Sequence, residues 1–442
     1  PFIGSAENGT SLKNIKVVMN NLIANVDSVT NACVGGIIGS INASRLTNGQ
    51  FIGNITVNVL ANVNSLYVGA IAGYSNNSTI ENKNINFNNN ATSTEIKATI
   101  NVEADEIITT PITNSAVGGL VGRAISTTLN NANVEVDIYA NILNNVGGAV
   151  GYAENSSLNH ILVSGLVKGY DNVGGAVGYG ISTNINKTIV EIYSRLNMQL
   201  NDNGEFEYIV GNQNVGGFIG LAEAATDNNA RISESYIRAY SNYLVIIGNK
   251  NVGGFIGNGS YYNLSKAYAY CYVSSLSETV ENVAALVGTA NTIKVETAFF
   301  KGKTPKNVLI NGTNSTISEF YAIVNETCYH LFDVNGNNVD LSGISDVDLP
   351  TEFKTQTFFS DYAKFKFATE TDLSNTWNIG EEYNDGNPIF RVEGVIAEKN
   401  ISEEAFNNAL SGLDSINAST VAGFLMSGRL STGEKYFIFE TG

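Results

Sequence analysis

The 442 residues carry 43% apolar and only 15% charged side chains, with 44 glycines against 5 prolines. That balance excludes a disordered tail and favours many strands and turns. A formal net charge of −17 argues against nucleic acid as a partner, and no apolar run reaches the roughly 18 residues of a membrane-spanning helix, so no membrane insertion is expected of this segment. The three cysteines, Cys33, Cys271 and Cys328, are odd in number and fit no zinc spacing, so they leave the redox compartment open.

The chain opens on Pro1-Phe2-Ile3-Gly4, the tail of a motif that then recurs in full, and reads as an internal fragment of a longer polypeptide. The complete anchors begin with Val34-Gly-Gly-Ile-Ile-Gly39, Val68-Gly-Ala-Ile-Ala-Gly73, Val117-Gly-Gly-Leu-Val-Gly122 and Val146-Gly-Gly-Ala-Val-Gly151. Val173-Gly-Gly-Ala-Val-Gly178, Val215-Gly-Gly-Phe-Ile-Gly220, Val252-Gly-Gly-Phe-Ile-Gly257 and Val283-Ala-Ala-Leu-Val-Gly288 follow, nine in all with the truncated one. The spacing between final glycines runs from 27 to 49 residues.

After each anchor comes an apolar residue: Leu12, Leu46, Ile80, Leu129, Leu158, Ile185, Ile232, Leu264 and Ile293. Five residues beyond stand Val17, Phe51, Ile85, Val134, Val163, Val190, Ile237, Ala269 and Ala298. Polar residues such as Glu135, Glu191 and Arg238 alternate with them, which predicts strands with one buried face whose inward residues stack from repeat to repeat. Gly-Gly suits close backbone approach between coils. The final Gly suits a positive-φ corner, and the Asn before several anchors (Asn145, Asn172, Asn214, Asn251) suits the left-handed region.

One repeat buries too little to fold alone, so an array is required. Nine coils at about 4.8 Å give a rod of about 45 Å. In the longest gap, residues 96–102 read as an extra strand, and residues 200–206 as a hairpin. Beyond about residue 295 the anchor disappears. Asn335-Gly336 then reads as a hairpin turn, Trp377 as a cover for the last coil, residues 402–410 as the single helix with a Ser402 cap, and residues 436–439 as a strand. The expected organisation is solenoid repeats over 1–300, continuation and closing strands over 301–394, and a short helix and strand over 395–442, a linker or the start of another module.

The tandem anchors resemble the GLUG motif family, repeats of large bacterial surface and secreted proteins, including the non-catalytic region of some immunoglobulin A-cleaving metallopeptidases. The resemblance covers roughly residues 1–300, and the 377–390 stretch is similar to the tail that closes such arrays. Val283-Ala-Ala departs from the pattern. The resemblance implies an all-β, right-handed β-helix-like solenoid of about nine or more irregular coils with a small C-terminal α+β cap. It further implies a cell-surface or secreted location and a scaffold without an active site.

Chemistry-bearing residues are sparse. The histidines are His160 and His330, with no HExxH, so a peptidase centre is not expected in this segment. His160 reads as an outward strand residue. Asp333, Asn335, Asn337 and Asp340 resemble a calcium loop, but Asn338 replaces its glycine and Ile344 its final Glu, so a hairpin is favoured. The acids Glu135, Asp137 and Glu191 form no continuing row of the kind a polysaccharide-cleaving β-helix uses. No metal, cofactor or catalytic residue is expected.

The informative outward residues are tyrosines: Tyr193, Tyr236, Tyr240, Tyr268, Tyr270 and Tyr272. Exposed, they would bind sugar rings or a protein face; covered, they would only strengthen the sheet. The expected function is a non-enzymatic surface stalk or adhesin scaffold meeting a host or cell-surface protein or glycan. The alternatives are an accessory region of a secreted peptidase, a polysaccharide-active β-helix enzyme, or a fibre subunit assembling by homotypic stacking of open strand edges.

Overall fold

In a computed structural model, the valine of each complete anchor pairs with the valine of the next. Val34, Val68, Val117, Val146, Val173, Val215, Val252 and Val283 are successive parallel partners. The structure describes residues 1–27, 31–61, 63–82, 95–105, 108, 111–112, 114–192, 206–225, 230–239, 244–276, 281–306, 308–324, 327–336, 339–340, 377–378, 389–390, 400–401 and 429–430. The chain divides into two compact units, 1–83 with 94–349, and 84–93 with 350–442.

In the first unit each complete repeat contributes to three sheets, and the truncated first one to two. The valines above lie in an eight-stranded sheet running from Asn31–Gly35 to Glu281–Ala284. The second half of the anchor forms an eleven-stranded sheet. Its register runs Ile3, Ile38, Ala72, Val121, Val150, Val177, Ile219, Ile256, Val287, Ile310, so the truncated first anchor is in step with the rest. The third sheet holds the longer strands, with Leu12, Leu46, Ile80, Leu129, Leu158, Ile185, Ile232 and Leu264 in one ladder. The fold is all-β with long parallel sheets, solenoid-like, and no helix occurs among the described residues.

Alternation explains the core. In strand Arg45–Val59, Leu46, Phe51, Ile55, Val57 and Val59 are fully buried, and apart from the half-buried Ile52 the residues between them are polar or small. Residues of this kind merge into one apolar cluster extending from Ala6 to Val324. β-branched side chains fit such a pleated, half-buried surface, and each fully buried one contributes roughly 1.5–3 kcal/mol.

The second glycine of the anchor is a packing requirement. A Cβ on Gly148 would sit 2.5 Å from Val163 Cγ1 and overlap the carbonyl oxygen of Gly175 in the next coil. The final glycine is required for a different reason than a positive-φ corner: none of these final glycines has positive φ, and a Cβ on Gly122 would lie 2.5 Å from Val68 N in the preceding coil. The left-handed residue is instead the Asn before the valine, at φ 57° for Asn145 and Asn172, 56° for Asn214, 53° for Asn251 and 58° for Asn282.

Several expectations are corrected. Residues 96–102 are not an extra strand. Strand Glu95–Ala104 lies between Arg45–Val59 and Thr128–Ala140, with Ile96 facing Phe51 and Val134. Ile96 therefore occupies the slot expected for Ile85, which lies outside the described residues. At the far end Leu264 pairs with Val295, not Ile293, and Ala269 with Phe300, not Ala298. Val295 stands seven residues after Gly288, the offset that Leu46, Ile80, Leu129, Leu158, Ile185 and Leu264 keep from their own final glycines.

One further coil follows without an anchor, Val308–Thr313 and Ser315–Val324, both parallel to the coil before. The chain then reverses: Thr327–Gly336 runs antiparallel to Ser315–Val324, with Val324 opposite Thr327. The turn therefore falls between Val324 and Thr327, while Asn335 and Gly336 are paired strand residues opposite Thr316 and Ser315.

In the second unit Trp377–Asn378 pairs antiparallel with Ile389–Phe390, and Asn400–Ile401 pairs parallel with Arg429–Leu430. The expected hairpin at 200–206, apart from Phe206, and the helix at 402–410 and strand at 436–439 lie outside the described residues, as does the side chain of Trp377.

Candidate functional site

The expected tyrosine face is in large part an interior. Tyr236 and Tyr268 are both 0% exposed, and their rings stack with centroids 4.5 Å apart and planes within 9° of parallel. They belong to a register run of Leu162, Ile189, Tyr236, Tyr268, Phe299 and Tyr321. Their chain neighbours Ile237, Ala269 and Phe300 belong to the main core, so strand alternation puts the tyrosines on the opposite face. The outward direction is as expected; the exposure is not.

Arg238 is buried on that same face, 5.6 Å from the Tyr236 ring centre, and pairs with Glu191. Tyr270 and Tyr272 are half-buried, with the Lys301 ammonium 4.7 Å from the Tyr270 ring centre. Tyr193 and Tyr240 lie outside the described residues.

The other singled-out groups are engaged locally. Glu135 pairs with Lys97 at 3.4 Å, and Asp137 Oδ1 accepts the Leu166 amide at 3.0 Å. His160 is half-buried at a left-handed corner, φ 54°, rather than at an ordinary strand position. Burial lowers its pKa, the Lys187 charge lowers it further, and Glu234 opposes them. Asp333 and Asn335 sit within strand Thr327–Gly336, not in a loop. Among the described residues no group of three or more His, Cys, Asp or Glu is placed to hold a metal ion.

A different constellation appears one residue after the final glycine of each anchor. Ser40, Tyr74, Arg123, Tyr152, Tyr179, Leu221, Asn258 and Thr289 are successive partners and all half-buried, an outward ladder along the eleven-stranded sheet. Arg123 stands between Tyr74 and Tyr152. Its guanidinium carbon is 4.7 Å from the Tyr152 ring centre and 5.3 Å from that of Tyr67, and Nη1 donates to the Tyr67 hydroxyl at 2.6 Å. Tyr67 comes from the eight-stranded sheet and stacks on Tyr74 at 6.0 Å, while Tyr152 meets Tyr179 edge to face at 5.2 Å.

The two outer phenols are tied to acids: the Tyr152 hydroxyl donates to Glu154 at 3.0 Å, and that of Tyr179 to Glu223. Burial raises both phenol pKa values, and the acceptor carboxylates raise them further, Tyr152 to about 12. Tyr67, Arg123, Tyr152 and Tyr179 line a cleft of about 350 Å³ together with Asn144, Asn145 and Asn172. Arg123 Nε and Asn144 Oδ1 are buried there without a hydrogen-bond partner.

Sequence reading had missed this cleft, though its signal is a fixed offset: the residue following Gly73, Gly122, Gly151 and Gly178 is Tyr, Arg, Tyr and Tyr. No protein-family model matches the chain, and neither a curated protein nor a solved structure matches it.

Proposed function

We propose that this chain is a non-enzymatic solenoid scaffold of a bacterial surface or secreted protein, a stiff stalk built from GLUG-type repeats. The observation that carries this reading is the unbroken register from Ile3 to Val287 in one sheet and from Val34 to Val283 in another. Each coil is hydrogen-bonded to the next across its width, so bending would break ladders in several sheets together. In this reading the array is right-handed, the hand that parallel crossover connections take, with nine or more coils and a C-terminal cap. Antibodies raised against the segment are expected to label intact cells of the source organism, and external protease to remove the label. Labelling only after permeabilisation would refute the surface role.

One observation supports a second reading, assembly between copies. Strand Ser11–Val26 pairs only with Arg45–Val59 among the described residues, and it exposes 63% of Val18 and 61% of Ile23. An open edge of this kind is a template for another strand. Sedimentation at increasing concentration is expected to show end-to-end oligomers; a constant monomer would exclude them.

A further inference from the structure

We infer that the cleft around Arg123 binds a carboxylate-bearing sugar, of the uronic-acid class. The assignment does not depend on the scaffold role. It begins with two atoms that lack partners. Arg123 Nε is a buried donor and Asn144 Oδ1 a buried acceptor in the same cleft. Leaving such groups unpaired is unfavourable, more so when the group is charged. Those two atoms are themselves closed to solvent, but the Arg123 and Asn144 side chains that carry them line the cleft, so a ligand there presents an acceptor to the guanidinium and a donor to the amide. A carboxylate and a ring hydroxyl on one small molecule do this.

The charge of Arg123 is open to such a ligand. Its hydrogen bonds go to phenols, to the Tyr67 hydroxyl at 2.6 Å and to Tyr152, and among the described residues no carboxylate pairs with it. The neighbouring acids are held elsewhere, Glu154 by the Tyr152 hydroxyl and Glu223 by that of Tyr179. The Tyr67 and Tyr152 rings hold the guanidinium from two sides, which limits its rotamers before anything binds.

The lining selects a sugar over a peptide carboxylate. Phenol rings offer apolar faces to ring C–H groups, and Asn144 and Asn145 offer amides to hydroxyls. The strand Ser115–Gly118, which contributes Ser115 and Ala116 to the lining, is already flanked on both sides. Val117 and Gly118 are already paired with Val68 and Gly69 on one side and with Val146 and Gly147 on the other, so no strand can be added. At about 350 Å³ the cleft lies at the small end of ligand pockets, roughly 300–1,000 Å³, as suits one or two sugar rings.

The test is calorimetric titration of the whole chain with sodium D-glucuronate, D-glucose and sodium acetate at matched ionic strength. Saturable binding of glucuronate alone is expected, and Arg123→Gln is expected to weaken it roughly tenfold or more. Equal binding of glucose or acetate, no saturable binding of glucuronate, or undiminished binding by Arg123→Gln would overturn the assignment. If that variant does not fold, the Nε–H resonance of Arg123 in the unmodified protein decides. It is expected to shift with glucuronate, and an unmoved resonance overturns the proposal.

Discussion

Asn251 donates its side-chain amide to Oδ1 of Asn214 at 2.7 Å, and both residues hold left-handed backbone angles. The same bond links Asn214 to Asn172 at 2.8 Å, Asn172 to Asn145 at 2.8 Å, and Asn282 to Asn251 at 3.1 Å. One residue type thus does two jobs at this corner. Asparagine tolerates the left-handed backbone, and its amide is both donor and acceptor, so the bonds run on from Asn145, whose own amide donates to the Ser115 carbonyl, to Asn282.

Asn214→Ala is therefore expected to destabilise through both jobs. It loses the bonds to Asn172 and Asn251, at about 1 kcal/mol each, and places a Cβ-bearing residue without a compensating polar group at φ 56°, at about 1 kcal/mol more. Asn214→Gly keeps the backbone freedom and loses only the bonds. Urea midpoints are expected to fall in the order wild type, Gly, Ala.

Two glycines separate packing from conformation. Gly148→Ala is expected to cost about 3 kcal/mol or more, because its Cβ meets Val163 and the Gly175 carbonyl and neither φ nor solvent offers relief. Gly4→Ala, with nothing within 4 Å of its Cβ, is expected to change stability by less than about 0.5 kcal/mol. Thermal unfolding of the two variants against wild type checks both.

The buried outer ladder makes Tyr236 a stability residue. Tyr236→Ala removes a fully buried ring stacked on Tyr268 and is expected to cost about 3–5 kcal/mol. Tyr236→Phe keeps the stack and is expected to cost about 1 kcal/mol. Equal stability of the alanine variant and wild type would show that the ring is not packed.

His160 gives a pH dependence of definite sign. Its folded pKa is lowered by burial and by Lys187, so below about 6.5, the ordinary histidine value, the unfolded chain binds a proton that the folded chain resists. The stability present above that value is lost as pH falls through it toward the folded pKa. Asn suits the φ of 54° at this site, so His160→Asn is expected to fold and to lose less stability than wild type between pH 7 and 5. Parallel melting-temperature profiles of the two proteins would contradict the assignment.

Much of the architecture is legible from residues alone. The Val-Gly-Gly anchor, the apolar residue after it and the Asn before it name the strand, the core ladder and the left-handed corner, because period-2 alternation and left-handed tolerance are local properties. The single-sequence reading faltered where register is set by a partner strand. Ile96 takes the slot expected for Ile85 because strand Glu95–Ala104 pairs with both of its neighbours there, and Val295, seven residues after Gly288, takes the slot expected for Ile293.

By itself the sequence determined a solenoid of stacked β coils with its core ladders, since each repeat carries the same inward pattern and most keep the same glycines; that the two halves of the anchor are strands of two further sheets was decided by the tertiary structure. Only the tertiary structure decided which outward residues remain reachable. Tyr236 and Arg123 both follow the alternation that points them away from the core, yet one lies buried in a second apolar ladder and the other borders a cleft. Alternation specifies a face of a strand, whereas exposure depends on what distant parts of the chain lay over that face.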